Sequence, residues 1–133
     1  MTERDHLSQL RQEIARLAAE RVGVERHLLR RARMTAASLI ERHLGAGERK
    51  RRSTAFYLSR WVEGRLRMTY VPKAEVEAVR ARVEAWREWR AALRRWVELS
   101  ARMERLWREL GRAQAEAPSP PSRAGPQEKE GTP

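Results

Sequence analysis

The stretch Phe56-Tyr57-Leu58-Ser59-Arg60-Trp61-Val62-Glu63-Gly64-Arg65-Leu66-Arg67-Met68-Thr69-Tyr70-Val71-Pro72 decides how this chain is read. Two runs rich in aromatic and branched residues flank Glu63-Gly64, and Pro72 closes the second run. That pattern predicts a β-hairpin. With a two-residue turn, Tyr57 lies opposite Tyr70, Ser59 opposite Met68, and Trp61 opposite Leu66. These six share one face, because side chains alternate along a strand. The other face carries Phe56, Leu58, Arg60, Val62, Arg65, Arg67, Thr69 and Val71. It is basic near the turn and apolar away from it. A lone hairpin is marginal in water, so the aromatic face is expected to pack on helices.

Helical periodicity surrounds this block. Upstream, Leu7, Leu10, Ile14, Leu17, Val24 and Leu28 recur at three- and four-residue steps, and Ala32, Ala36, Leu39 and Ile40 continue the drift. This predicts one helix over 3–44, ended by Gly45-Ala46-Gly47. Residues 45–55 then form a basic loop and 56–71 the hairpin. Downstream, Pro72 suits the first position of a second helix, and Glu75 and Glu77 suit its positive end. That helix is expected over 72–116. Val76, Val79, Val83 and Trp86 form one stripe, and Trp89, Leu93, Trp96, Met103, Trp107 and Leu110 another. Their offset near Arg90 reads as a stammer or a change of partner. Residues 117–133 are rich in proline, serine, glycine and charge, the composition of a disordered tail. The fold class expected is α+β, mostly α. Two long antiparallel, coiled-coil-like helices are joined by a basic β-hairpin.

Charge is distributed unevenly over the 133 residues. The net charge is +11. Residues 42–67 hold eight Arg or Lys against two acids, more than half of that excess. A concentrated positive patch favours polyanions. Arg outnumbers Lys by 26 to 3. Arginine is the better bidentate ligand for phosphate and guanine, but the bias also covers the helices, where no ligand is required. A GC-rich coding sequence is therefore the favoured account of it.

Several classes of function lose support. The chain has no Cys, so disulfides and thiolate metal sites are excluded. His6, His27 and His43 are too widely spaced to complete a zinc site. No nucleophile–base pair, paired carboxylates or glycine-rich phosphate loop stands out, so no enzyme activity, cofactor or small-molecule substrate is expected. The N-terminus is charged, and no apolar run approaches the ~20 residues that span a bilayer. A cytoplasmic protein without a membrane partner is the expectation.

The block from Phe56 to Pro72 resembles a small bacterial and archaeal domain-of-unknown-function family. The resemblance rests on Tyr57-Leu58-Ser59, Gly64-Arg65, Tyr70-Val71-Pro72 and the helix from Lys73 to about Leu110, roughly half the chain. It implies a hairpin followed by a long helix, and a gene setting sometimes near mobile elements. Some members carry a Cys-rich loop before the first strand. Here the corresponding residues 45–53 contain no Cys, so no metal role carries over. The resemblance implies no biochemical activity.

The candidate residues divide by chemistry. Arg49, Lys50, Arg51 and Arg52 are four consecutive cations suited to phosphate contact. As a solvated loop they would serve solubility alone. Arg60, Arg65 and Arg67 extend the patch onto a ribbon of a size that enters a major groove. Trp86, Trp89, Trp96 and Trp107 recur at near-helical spacing and read as core or oligomer contacts. Trp96, Met103 and Trp107 are the expected contacts of a homodimer or a helical protein partner. Tyr57 and Trp61 are rings of the kind on which single-stranded nucleic acid stacks, but the hairpin needs them for its own core, and that is where they are expected. The leading expectation is a non-enzymatic accessory or regulatory protein that binds nucleic acid, DNA ahead of RNA, through the basic loop and hairpin. The alternative is a coiled-coil interaction or oligomerisation module with no nucleic-acid role.

Overall fold

Thr2 opens the first helix with a reciprocal cap. Its hydroxyl accepts the Asp5 N–H at 3.1 Å, and the Asp5 carboxylate accepts the Thr2 N–H at 3.3 Å. The computed structural model describes residues 2–44 and 53–116. Within them the order is α1 (Glu3–Leu29), β1 (Ser38–Leu44), β2 (Ser53–Val62), β3 (Arg65–Val71) and α2 (Val76–Gln114). The architecture is α+β and mostly helical, with a three-stranded antiparallel sheet in the order β1-β2-β3. The tail expected over 117–133 lies outside the described residues.

The helix expected over 3–44 stops at Leu29. Arg30 caps it with extended backbone, and the Thr35 N–H then donates to the Arg82 carbonyl at 3.1 Å, tying the connector to α2. Residues 38–44 form a strand instead, paired Leu39 to Leu58 and Ile40 to Tyr57. Leu39 and Ile40 fit a helical drift because Ala32 and Ala36 precede them. They form a strand because β2 offers a free edge whose backbone groups need partners. The glycines expected to end the helix, 45–47, lie outside the described residues, and α1 has already ended.

The hairpin register is the expected one: Tyr57 opposite Tyr70, Ser59 opposite Met68, Trp61 opposite Leu66. Glu63 and Gly64 both take positive φ, 50° and 78°. Such a turn matches the right-handed twist of the strands and suits glycine, whereas Glu63 bears a steric cost there. Pro72 is extended, and Lys73–Glu75 make one 3-10 turn before α2 begins at Val76. α2 is 39 residues long, or about 58 Å at ~1.5 Å per residue.

α2 changes partner along its length. Val76, Val79 and Val83 pack with Val71 against Leu39, Phe56 and Leu58 of the sheet. Farther on, Leu99, Met103 and Leu110 pack against Leu10, Ile14 and Leu17 of α1, with Leu106 beside them. The helices run antiparallel: His6 meets Glu109 at 3.3 Å, Glu13 meets Arg102 at 3.3 Å, Glu20 meets Arg95, and the Trp89 Nε1–H donates to the Leu28 carbonyl at 3.0 Å. The second stripe therefore needs correction. Leu99 and Leu106 take the buried line, while Leu93 and Trp107 are left exposed. Both lines pass through Met103 and Leu110.

Most of the ion pairs are solvent-facing and contribute little individually. A hydrogen bond from Arg16 holds the Glu13 carboxyl below the usual carboxylate range. Its contribution is present above the ordinary carboxylate range and lost as pH falls through the depressed titration. Gly23 lies within α1 with nothing near the position of an added Cβ. Gly23→Ala should raise stability by ~0.4–1 kcal/mol, chiefly by restricting the unfolded chain. Chemical denaturation checks this, and an unchanged midpoint would count against the continuous helix.

Candidate nucleic-acid interface

The sheet has one covered face and one open face. Cross-strand pairs join Leu39 to Leu58 and Phe56 to Val71. These four make an apolar patch over three strands, and the α2 valines cover it. The opposite face carries Ile40, Arg42, Tyr57, Ser59, Trp61, Leu66, Met68 and Tyr70 by alternation. No helix packs there among the described residues. Trp61 is 73% exposed and Tyr70 57%. The aromatic face expected to be core is thus the open one. The third strand contributes to this: β1 brings Leu39 beside Leu58 and extends the apolar surface that the α2 valines cover.

On the open face the rings are arranged rather than scattered. Tyr57 and Tyr70 meet edge to face at 5.8 Å between centroids. The Arg42 guanidinium lies 5.5 Å from the Tyr57 ring centroid, within cation–π range. Leu66 and Met68 are also exposed, so the patch is mixed aromatic and aliphatic.

The sequence-predicted cations fall into two sets. Arg49, Lys50, Arg51 and Arg52 lie outside the described residues. Arg60, Arg65 and Arg67 are exposed and share the α2-facing side of the sheet, with Arg60 directly opposite Arg67. Like charges in that position are destabilising. None of the three has an ion-pair partner among the described residues. Arg16, Arg21, Arg80, Arg95, Arg102 and Arg108 of the helices each meet a carboxylate, as does Arg87 with Glu84 at 3.6 Å, whereas Arg90, Arg94 and Arg105 of α2 meet none among the described residues.

Two further arginines join the set. Val83, Arg87 and Arg90 are spaced i, i+4, i+7 along α2, so the stripe beneath the sheet turns from apolar to basic. A cleft of about 230 Å³ between sheet and helix brings Arg60 together with Arg87, Arg90, Trp61 and Trp86. The Arg90 guanidinium sits 5.9 Å from the Trp86 ring centroid, and Trp86 stacks on Trp89 at 5.8 Å. The change of residue type along that helical stripe is the signal that would have found Arg87 and Arg90.

The expected oligomer contacts are divided by the fold. Met103 is buried between α1 and α2. Trp96 is half-buried, donates its Nε1–H to Glu25 at 2.8 Å and lies under Arg21 at 5.8 Å. Both are occupied within the chain by contacts with α1. Trp107 is 55% exposed. Among the described residues no group of three His, Cys, Asp or Glu is placed to hold a metal, and no helix is long and apolar enough to cross a membrane. No family model matches the chain, and neither curated proteins nor solved structures give a match to it.

Proposed function

We propose that this chain is a non-enzymatic nucleic-acid-binding protein of accessory or regulatory type, acting in the cytoplasm, with DNA as its ligand ahead of RNA. The contact set is Arg60, Arg65 and Arg67 on the sheet, together with Arg49, Lys50, Arg51 and Arg52. One observation carries the reading. Arg60, Arg65 and Arg67 are exposed on one side of the sheet with no ion-pair partner among the described residues, and Arg60 stands directly opposite Arg67 across a strand pair, where like charges repel. A fold that bears that repulsion has a use for an external polyanion. Titration with labelled DNA at two salt concentrations is the test. Affinity should fall steeply with salt, by a log–log slope of ~0.9 per phosphate contact on a duplex. Absence of salt-dependent binding to DNA and RNA alike would remove this reading.

A second reading is favoured by a separate observation. Leu93, Val97 and Trp107 are exposed and fall on one side of α2 at helical spacing. In this reading the coiled-coil-like helical pair associates with a second copy or a helical partner through that stripe. Trp107→Ala should then shift a micromolar sample toward monomer in sedimentation without lowering thermal stability. A wild-type monomer across that range would exclude a homodimer.

A further inference from the structure

We infer that the open face of the sheet is a stacking platform for single-stranded DNA, and that the cleft at Arg60, Arg87 and Arg90 holds a phosphate of the same strand. This rests on the nucleic-acid reading above and specifies the form of the ligand and the side of the sheet it occupies.

Three features carry it. First, the exposed rings have the chemistry that unpaired bases use. The exposed Trp61 and Tyr70, with the half-buried Tyr57 beside them, lie on two adjacent strands, and a base has a π-face that stacks on such rings whatever its identity. Bases within a duplex are already stacked and do not offer that face. Second, the rings and the cations are continuous. Trp61 and Ser59 of the open face line the same cleft as Arg60, Arg87 and Arg90. A nucleotide whose base lies on Trp61 would direct its phosphate into the cleft that Arg60 and Arg90 line, together with Arg87, which also meets Glu84 at 3.6 Å. Third, the size is right for a single group. At about 230 Å³ the cleft falls below the ~300–1,000 Å³ of sites that enclose whole drug-sized ligands. It suits one phosphate entering from an open surface.

Charge decides against a second copy of the chain as the occupant. Arg42 stands on the face itself, and Arg60, Arg65 and Arg67 lie on the reverse of the same two strands. Two such faces brought together would cover the Arg42 guanidiniums with no acid on the described face to meet them, since Glu63 lies at the turn and Glu41 on the reverse of β1. A polyanion with apolar, planar side groups complements both the charge and the rings.

The test compares a labelled oligodeoxythymidylate, a duplex of equal length, an oligouridylate and an abasic strand, by anisotropy, on the full chain. The single strand should bind at least tenfold more tightly than the duplex and the abasic strand. Trp61→Ala and Tyr70→Ala should each weaken single-strand binding by roughly 5- to 150-fold, with circular dichroism unchanged because both rings are exposed. Arg60→Ala and Arg90→Ala should flatten the salt dependence by ~0.7 per lost contact. Duplex binding equal to or tighter than single-strand binding, or ring variants that bind as wild type does, would overturn this inference and leave the nucleic-acid reading standing. Uridylate binding as tightly as thymidylate would overturn the assignment to DNA. Loss of dimer on Trp61→Ala, seen by sedimentation, would assign the face to self-association instead. No binding to any strand would remove both readings.

Discussion

Leu99→Ala should cost ~2–5 kcal/mol of folding stability. Leu99 and Leu17 are both 0% exposed, and they pack within the one cluster that joins α1 to α2. Removing either side chain leaves a void between two helices that carry cross-helix ties along their length, so the gap closes only in part. Against a total of ~5–15 kcal/mol for a small domain, such a loss is a large share. Leu17→Ala should behave alike, and the double variant should be less than additive because the two sites share one cluster. Chemical denaturation provides the measurement, with Trp107→Ala as the exposed control, expected within ~0.5 kcal/mol of wild type. A loss below ~1 kcal/mol for Leu99→Ala would show that this cluster is not the core of the helical pair.

Changing Arg49, Lys50, Arg51 and Arg52 together to Ala should produce the largest functional effect. Cations of this kind contact phosphates and release counterions, so binding should weaken alike for every sequence tested. The log–log salt slope should flatten by up to ~3.6 for four lost duplex contacts. Arg60, Arg65 and Arg67 provide the contrast. Where one of them reaches a base edge, its single replacement should cost ~1–3 kcal/mol and alter sequence preference. Folding should survive both sets. The sheet arginines are exposed, and the apolar contact with α2 is made by Leu39, Phe56, Leu58 and Val71. An unchanged slope in the quadruple variant would show that these cations serve solubility and not binding.

Part of the candidate interface was legible before any coordinates. The basic half of the hairpin face, with Arg60, Arg65 and Arg67 together, follows from alternation alone. So does the apolar half with Phe56, Leu58 and Val71. Which side the helix covers does not follow, because both faces of the hairpin are apolar enough to attract one. Trp61 and Tyr70 have the composition of a core and stand in solvent. Arg87 and Arg90 belong to the same patch, yet they lie more than twenty residues from Arg60 in sequence. Their place becomes visible only when the α2 stripe is laid against the sheet.

Local rules set much of this protein. The turn at Glu63-Gly64 and the alternation on either side define the β2–β3 register, since a two-residue turn leaves one pairing. The periodicity after Pro72 defines a long α2, because its repeats are short-range and persist over 39 residues. The uneven charge is a property of composition. Tertiary structure decided three things: that residues 38–44 are a strand, which face of the sheet is buried, and which helix positions meet α1. A strand satisfies its backbone only through a partner distant in sequence, so Ser38–Leu44 carries no complete signal of its own. Leu39 of β1 completes the apolar patch, α2 covers it through Val76, Val79 and Val83, and Trp61 and Tyr70 face water on the other side.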